Sequence, residues 1–435
     1  MLRLTDLREI LRYVPRFRER VFVIAIDGAI VDDDNFRNLM LDLALLRSLN
    51  IHVALVHGAA YQIRRLAELT RQTPSNLDGT GVTDDATLQL ALTAANRVAH
   101  DLLEGLSAND LRGAVSNCLV AHPAGILHGV DYQKSGRVER VDTTLLHALM
   151  EREIVPVIPP VGCDGEGHSY RLNSDAVAVE VARALHAVKL IYLTTFEGVR
   201  VRAEVEGGPQ AQLLRQLSLE EAETLLKKNR ADVPPPLLSK LEHAVRAARG
   251  GVERVHIIDG RVEEGLLAEV FSNEGVGTLI HANEYQAIRK AIRKDARMIY
   301  NLIQASMEND ELVRRTRAEI ERQIDDFYVF EVDRNPVACA ALHQYPNENK
   351  AELACVCVDQ RYENQGIGGK LMQYAESVAR AKGVAELFCL STQAFNYFQQ
   401  KGGFTPGTPD DLPSTRRERY ERSGRRSLVL KKRLV

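Results

Sequence analysis

Glu352 heads an apolar run that continues as Leu353-Ala-Cys-Val-Cys-Val358. A carboxylate at the mouth of an otherwise apolar strand is suited to take a proton from an attacking ammonium; the competing reading is a strand-end glutamate in solvent. Downstream, Gly366-Ile-Gly-Gly369 opens a helical pattern. Glycines let backbone N–H groups approach a pyrophosphate closely, and the helix N-terminus adds partial positive charge. A lone Gly-x-Gly-Gly is common, so the order matters more: consecutive strands, glycine turn, helix, further strand. A dinucleotide fingerprint needs a parallel strand opening a crossover unit, and that is absent here. Two basic stretches add candidate anion ligands, Arg314-Arg-Thr-Arg317 and Gly424-Arg-Arg-Ser427. Arg425 and Ser427, two residues apart, share one face of an extended segment. The planar guanidinium suits two-point binding of a carboxylate. The alternatives for this basic tail are a solvated surface or an RNA-binding patch; without interleaved aromatics, nucleic acid is not expected.

The elements that must position these groups fall into two regimes. From about residue 285 the pattern reads helix 288–303, charged helix 311–324, then strands 327–332, 337–342 and 352–358. After the glycine turn come a helix over 367–382, a strand over 385–390, a short helix over 393–401 and a closing strand over 426–431. Upstream, apolar runs at 21–26, 51–56, 155–159, 189–194 and 254–258 alternate with helical patterns at 35–49, 61–70, 142–152, 174–187, 219–228 and 237–248. Such alternation implies crossover units and a mostly parallel sheet. Active groups in such a sheet sit at the carboxyl ends of its strands, here Asp27-Gly28, His57-Gly58 and Val161-Gly162. Leu2, Leu4, Leu7, Ile10, Leu11 and Val14 recur at helical spacing, giving an amphipathic helix over residues 1–19. The expected organisation is therefore residues 1–19 as an N-terminal helix, 20–283 as an α/β domain and 285–435 as an α+β domain with a largely antiparallel sheet.

Composition narrows the class. The 435 residues are 45% hydrophobic and 26% charged, with a net charge of −3. That balance suits a globular protein and gives no global attraction to nucleic acid or anionic membrane. No apolar run is long enough to span a bilayer. Residues 1–20 are basic, yet Asp6, Glu9 and Glu19 argue against a mitochondrial presequence. The six cysteines form no Cys-x-x-Cys pair, so buried free thiols in a reducing cytoplasm are expected, with no metal.

Residues 285–435 resemble the GNAT acetyltransferase family, whose turn usually reads Gln/Arg-x-x-Gly-x-Gly/Ala. Here it is Glu363-Asn-Gln-Gly-Ile-Gly368, with glutamate at the first position. Gln399 stands where a catalytic tyrosine is common in that family. Three further segments, Glu352-Leu-Ala-Cys-Val-Cys-Val358, Leu387-Phe-Cys-Leu-Ser-Thr392 and Leu412-Pro-Ser-Thr-Arg-Arg-Glu-Arg-Tyr420, resemble bacterial N-acetylglutamate synthases, and this likeness covers nearly the whole chain. The resemblance implies Glu352 as base and Ser391 as the acid that reprotonates the coenzyme A thiolate, directly or through water. It implies that Val356, Cys357 and Val358, with the turn residues Gln365, Gly366, Ile367, Gly368 and Gly369, hold acetyl-CoA. Arg315, Cys355, Arg425 and Ser427 are the implied ligands of L-glutamate.

Residues 20–283 resemble the amino-acid kinase fold, acetylglutamate kinase in particular, through Gly250-Gly-Val-Glu-Arg-Val-His-Ile-Ile-Asp-Gly260, Leu266-Leu-Ala-Glu-Val-Phe271, Gly275-Val-Gly-Thr278, Asn173-Ser-Asp-Ala176 and Lys240. Active kinases of this type carry a lysine at the end of the first strand, where this chain has Ile24-Ala-Ile-Asp-Gly28. Their His-Gly-Gly-Gly loop is His57-Gly-Ala-Ala60 here. Loss of the phosphoryl-neutralising lysine implies that phosphoryl transfer is lost, so ATP is not expected as a co-substrate. The retained fold suggests regulation. The arginine-sensitive members of the resembled family imply an L-arginine site at Tyr13, Lys189, His256, Glu269, Gly275 and Gly277; the alternative for Glu269 is a helix-surface carboxylate. They also imply a homo-oligomer, expected to be a hexamer, assembled through the N-terminal helix. The combined expectation is a cytoplasmic N-acetylglutamate synthase serving the first step of arginine biosynthesis under arginine feedback. A bifunctional synthase-kinase and an amino-acid-sensing protein lysine acetyltransferase remain as alternatives.

Overall fold

The computed structural model describes residues 14–205, 208–228, 233–271, 275–282, 286–308, 312–332, 335–363, 366–392, 394–423 and 427–434. They form two compact units, Met1–Asn283 and Glu284–Val435. Most of the expected N-terminal helix, including Tyr13, lies outside the described residues.

Unit 1 is built on an eight-stranded sheet. Its strands in chain order are β1 (Val21–Ile26), β2 (His52–His57), β3 (Arg112–Val115), β4 (Ile154–Ile158), β5 (Lys189–Thr194), β6 (Gln216–Ser218), β7 (Arg254–Asp259) and β8 (Thr278–His281). The spatial order is β6-β8-β7-β5-β1-β2-β4-β3. Every pairing is parallel except β7 with β8. The central strands are continuous apolar runs because both faces are covered. One face packs on α1 (Ser174–Ala184) and α2 (Pro235–Arg249), and the other on Phe36–Ser48, Asp85–Ser107 and α3 (Gly265–Phe271). Asn173 caps α1 by accepting the Ala176 N–H at 2.9 Å, which explains the Asn-Ser-Asp-Ala signature locally. Sequence reading missed the 23-residue helix Asp85–Ser107, capped by Asp84. It also missed a four-stranded antiparallel-rich sheet built from residues between 119 and 171.

Unit 2 holds a seven-stranded mixed sheet: β9 (Gln286–Lys290), β10 (Phe327–Val332), β11 (Asn335–Tyr345), β12 (Lys350–Val358), β13 (Glu386–Ser391), β14 (Thr405–Pro406) and β15 (Leu428–Arg433), ordered β9-β10-β11-β12-β13-β15-β14. Its helices are α4 (Ala296–Glu308), α5 (Arg317–Arg322), α6 (Ile367–Ala381), α7 (Phe395–Gly402) and α8 (Ser414–Ser423). Two expectations are corrected here. The segment read as helix 288–303 begins as strand β9, and the helix itself starts at Ala296. Arg289 lies on β9 and bridges Asp295 at 2.7 Å and Glu331 across the β9–β10 pair, so its placement follows from charge pairing rather than helical period. The segment read as helix 311–324 is helical only over α5, where the Thr316–Glu319 capping box sets the start. No helix among the described residues is long and apolar enough to cross a membrane. The six cysteines form no disulfide, and five are buried.

Candidate active site

Strand β12 makes the centre of the site. It pairs antiparallel with β11 along its length, but parallel with β13 only at Lys350, Ala351 and Glu352, so β12–α6–β13 is a crossover unit of the kind the sequence was expected to lack. Beyond Glu352 the two strands part, leaving the Leu353–Val358 edge without a β13 partner. The register with β11 also shifts between Cys339 and Ala341, and Cys355 in that bulge has φ +52°. A bulge with a left-handed residue bends its strand and ends regular pairing. The sequence therefore opens the sheet at the residues implied to hold a thioester.

Two cavities adjoin this opening. The larger, about 890 Å³, is lined by Arg315, Glu352, Cys355, Arg416, Arg419 and Ser427 among others. The smaller, about 310 Å³, is lined by Val356, Cys357 and Ser391, and Leu353, Ala354, Cys355 and Leu390 line both. Glu352 and Ser391 are each 6% exposed. Ser391 Oγ accepts the Ala394 N–H at 3.0 Å, which leaves its own proton to donate. Burial pushes the Cys355 thiol up, so this side chain is not a ready nucleophile.

Glu352 is not alone. Arg416 Nε donates to its Oε2 at 2.7 Å and Nη2 to its Oε1 at 2.9 Å, a two-point pair, and the Tyr345 hydroxyl lies 3.4 Å from Oε2. Burial, and then the adjacent Glu352 charge, push the Tyr345 phenol up to about 12. Sequence reasoning gave neither residue a role. Arg416 stood in the Leu412–Tyr420 signature, one of several arginines there, and no spacing rule singles it out. Arg315 in turn lies 3.4 Å from His343 Nε2, and His343 Nδ1 lies 2.8 Å from Asp326 Oδ2. If Nδ1 carries the proton toward Asp326, Nε2 is left to accept from the guanidinium. The Tyr420 hydroxyl donates to the Ser427 carbonyl at 2.8 Å and ties α8 to the start of β15. Arg425 lies outside the described residues.

The glycine turn opens α6 without an acidic residue in its first turn and without an N-cap side-chain hydrogen bond. Gly366 has φ +75°, and a Cβ there or at Gly369 would meet nothing within 4 Å. A Cβ at Gly368 would lie 2.6 Å from the Tyr397 hydroxyl, which also receives the Gly369 amide. Gln365 lies outside the described residues.

In unit 1 the residues expected to hold an effector converge. Lys189 Nζ is 3.1 Å from His256 Nε2, and His256 Nδ1 is 2.7 Å from Glu269 Oε1. Glu269 Oε2 accepts the Val276 and Gly277 amides at 2.6 and 3.1 Å. Glu269 is 3% exposed, so it is a buried residue of α3 and not a helix-surface carboxylate. Gly275, at φ +56°, would place a Cβ 2.8 Å from Glu269 Oε2, so the loop needs glycine there. Phe17, which sequence reading did not single out, lies with its ring 5.3 Å from Lys189 Nζ and 6.5 Å from the Phe271 ring.

At the carboxyl ends of β1 and β2, Lys240 of α2 lies 2.8 Å from Asp27 and 3.0 Å from Asp175. Burial works against its charge, but the two carboxylates outweigh it and hold the ammonium above the usual lysine range. Burial also pushes the His57 imidazole down to about 4, so the ring is neutral.

Residues 20–259 match the amino acid kinase family and residues 295–404 the acetyltransferase (GNAT) family. The chain is 34% identical to the amino-acid acetyltransferase of Ralstonia nicotianae, covering 98% of this chain and 94% of that protein. It is 34% identical to the one from Serratia proteamaculans, covering 96% of each. Among solved structures it resembles N-acetylglutamate synthase from Neisseria gonorrhoeae complexed with coenzyme A and L-arginine, at 30% identity and TM-score 0.86, covering 100% of this chain and 99% of that one. A second structure of that synthase, complexed with coenzyme A and N-acetyl-glutamate, matches at 31% identity and TM-score 0.62 over 100% of both chains.

Proposed function

Since the chain belongs to the amino-acid acetyltransferase family, an acyltransferase family built from an amino-acid kinase-like domain and a GNAT domain, we propose that it transfers the acetyl group of acetyl-CoA to the α-amine of L-glutamate, as the first step of arginine biosynthesis and under feedback by L-arginine. The observation that carries this reading is the parting of β12 from β13 just beyond Glu352, between a basic cavity and the smaller cavity that Ser391 lines. Glu352 takes the ammonium proton, and the freed amine attacks the acetyl carbon. The coenzyme A sulfur leaves with the C–S electron pair and is reprotonated by Ser391 or through water. Val356, Cys357 and Val358 offer backbone groups to the pantetheine and polarise the thioester carbonyl. Gly366, Ile367, Gly368 and Gly369 at the α6 N-terminus, together with Gln365, take the pyrophosphate. Arg315, Cys355, Arg425 and Ser427 bind the acceptor, the two guanidiniums taking its carboxylates. The three liganded partners are thus L-glutamate, acetyl-CoA and L-arginine.

The feedback site in this reading is the Lys189–His256–Glu269 chain with Gly275 and Gly277, and Tyr13 is its sixth residue. The cytoplasmic location, the hexamer and the division at residues 19 and 283–285 belong to the same proposal. Phosphoryl transfer does not, since Ile24-Ala-Ile-Asp-Gly28 carries no lysine at the end of β1 and Lys240 is already engaged by Asp27. Product identity tests the reading: with carbonyl-labelled acetyl-CoA, NMR should place the label on the α-nitrogen of glutamate. Label on lysine side chains of an added peptide, and none on glutamate, would replace this function with protein acetylation. Glu269→Ala should keep turnover and lose sensitivity to arginine, and retained inhibition would remove the proposed effector site.

A further inference from the structure

Glu352 as the base meets a difficulty in its own surroundings. Arg416 Nε and Nη2 occupy Oε2 and Oε1 at 2.7 and 2.9 Å. The Tyr345 hydroxyl adds a contact to Oε2 at 3.4 Å. The side chains of Arg416 and Glu352 are only 16% and 8% exposed. A carboxylate gripped by a guanidinium at both oxygens has its best acceptor positions committed to N–H donors. An ammonium arriving there would also meet the guanidinium charge. Withdrawing Arg416 with nothing in exchange is strongly unfavourable, because it leaves two mostly buried charges unpaired. Exchange for a second carboxylate avoids this, since the guanidinium keeps a partner of the same kind.

The surroundings supply a place for that exchange. Arg416 lies in the first turn of α8, and Arg416, Arg419 and Tyr420 all line the larger cavity with Arg315 and Ser427. An acceptor carboxylate bound on the α8 side of this cavity comes beside the same guanidinium that holds Glu352. We propose that Arg416 is a latch on Glu352 that a carboxylate of the acceptor releases. This deepens the proposed function and rests on Glu352 acting as its base. In the latched state the guanidinium holds Glu352. When the acceptor binds, the guanidinium moves to its carboxylate, and a Glu352 oxygen receives the proton as one ammonium N–H bond breaks and one O–H bond forms. Amines without that carboxylate meet a base that stays engaged. Selectivity for an acidic acceptor is then set in the proton-transfer step as well as in binding, and Arg416 is a positioning residue for the base.

The test compares L-glutamate with its two amides, L-glutamine and L-isoglutamine, in the full-length wild type and in Arg416→Gln, by initial rates of thiol release. Acetyl-CoA binding, measured by calorimetry, serves as the folding control. Arg416→Gln is expected to lower turnover of L-glutamate and to narrow the preference for it by roughly 100-fold, the scale of a buried charged contact. It is also expected to raise turnover of one amide above wild type by about 10-fold, within what a positioned base contributes. The amide that gains identifies the releasing carboxylate. A guanidinium that only bound substrate, or only supported the fold, would not raise any rate, so a fall on all three acceptors overturns the latch. Arg416→Lys, which retains one charged contact, should shift in the same direction by less, and it decides the matter if Arg416→Gln does not fold. If wild-type protein fails to acetylate L-glutamate, the proposed function itself falls and the latch falls with it. If that reaction proceeds and no amide gains, only the latch is lost.

Discussion

Lys240 Nζ lies 2.8 Å from Asp27 Oδ1, just beyond the carboxyl end of β1. The chain lacks the strand lysine of the resembled kinases, and Asp27 draws Lys240 into a buried pair that also includes Asp175 at 3.0 Å. Lys240→Met is expected to cost about 3–5 kcal/mol, the scale of breaking a buried ion pair from one side. Urea denaturation of the full chain measures it. Asp27→Lys should lower stability by setting two ammonium groups together, and it should release no ADP from ATP and acetylglutamate. Clear ADP release would contradict this account of the kinase-like domain.

Glu269 gives a pH dependence with a definite sign. Burial opposes its charge, but the His256 hydrogen bond and charge and the Gly277 and Val276 amides outweigh it and hold the carboxyl down at about 2. The unfolded chain binds this proton more readily, so the stabilisation is fully present above about pH 4.5 and is lost as pH falls toward 2. Glu269→Gln should flatten that acid limb by on the order of 2–3 kcal/mol, measured by denaturant melts between pH 6 and pH 2.5. An unchanged limb would show that Glu269 does not carry it.

Cys355 separates backbone from side-chain roles. Its φ of +52° is costly for a β-branched residue, and its thiol is not needed as a nucleophile in this account. Cys355→Ala and Cys355→Gly should retain turnover within about tenfold, while Cys355→Val should lose about 1–2 kcal/mol of stability and most activity. Equal activity in all three would mean that the bulge does not shape the site.

Glu352→Gln should lower kcat by about 10²–10⁴-fold while acetyl-CoA binding persists, because a base acts in the transition state. Ser391→Ala should lower kcat less, since water can replace a hydroxyl donor. Loss of acetyl-CoA affinity with unchanged kcat would assign Glu352 to binding instead.

The sequence makes the parallel core of unit 1 legible because strands covered on both faces are unbroken apolar runs bounded by glycine turns. The β12–turn–α6 path is legible for a similar reason: glycine is needed where Gly366 turns left-handed. Arg289 misled the reading of 288–303, because a charged edge strand leading into a helix shares the helix's spacing of apolar residues. Much of the buried face of the long helix Asp85–Ser107 is alanine (Ala91, Ala94, Ala95, Ala99), a weaker periodic signal than larger apolar residues give. Pairings between distant residues had no local signal at all. Arg416 meets Glu352 across 64 positions and Phe17 meets Phe271 only through the fold, so neither contact is legible in the sequence.

The most direct test of the central claim is the rate of coenzyme A thiol release from acetyl-CoA by the full-length protein with L-glutamate, with and without L-arginine. The account predicts release that requires glutamate, saturates with it and changes when arginine is added. Release that is indifferent to glutamate, or that appears only with a lysine-bearing peptide, would contradict it.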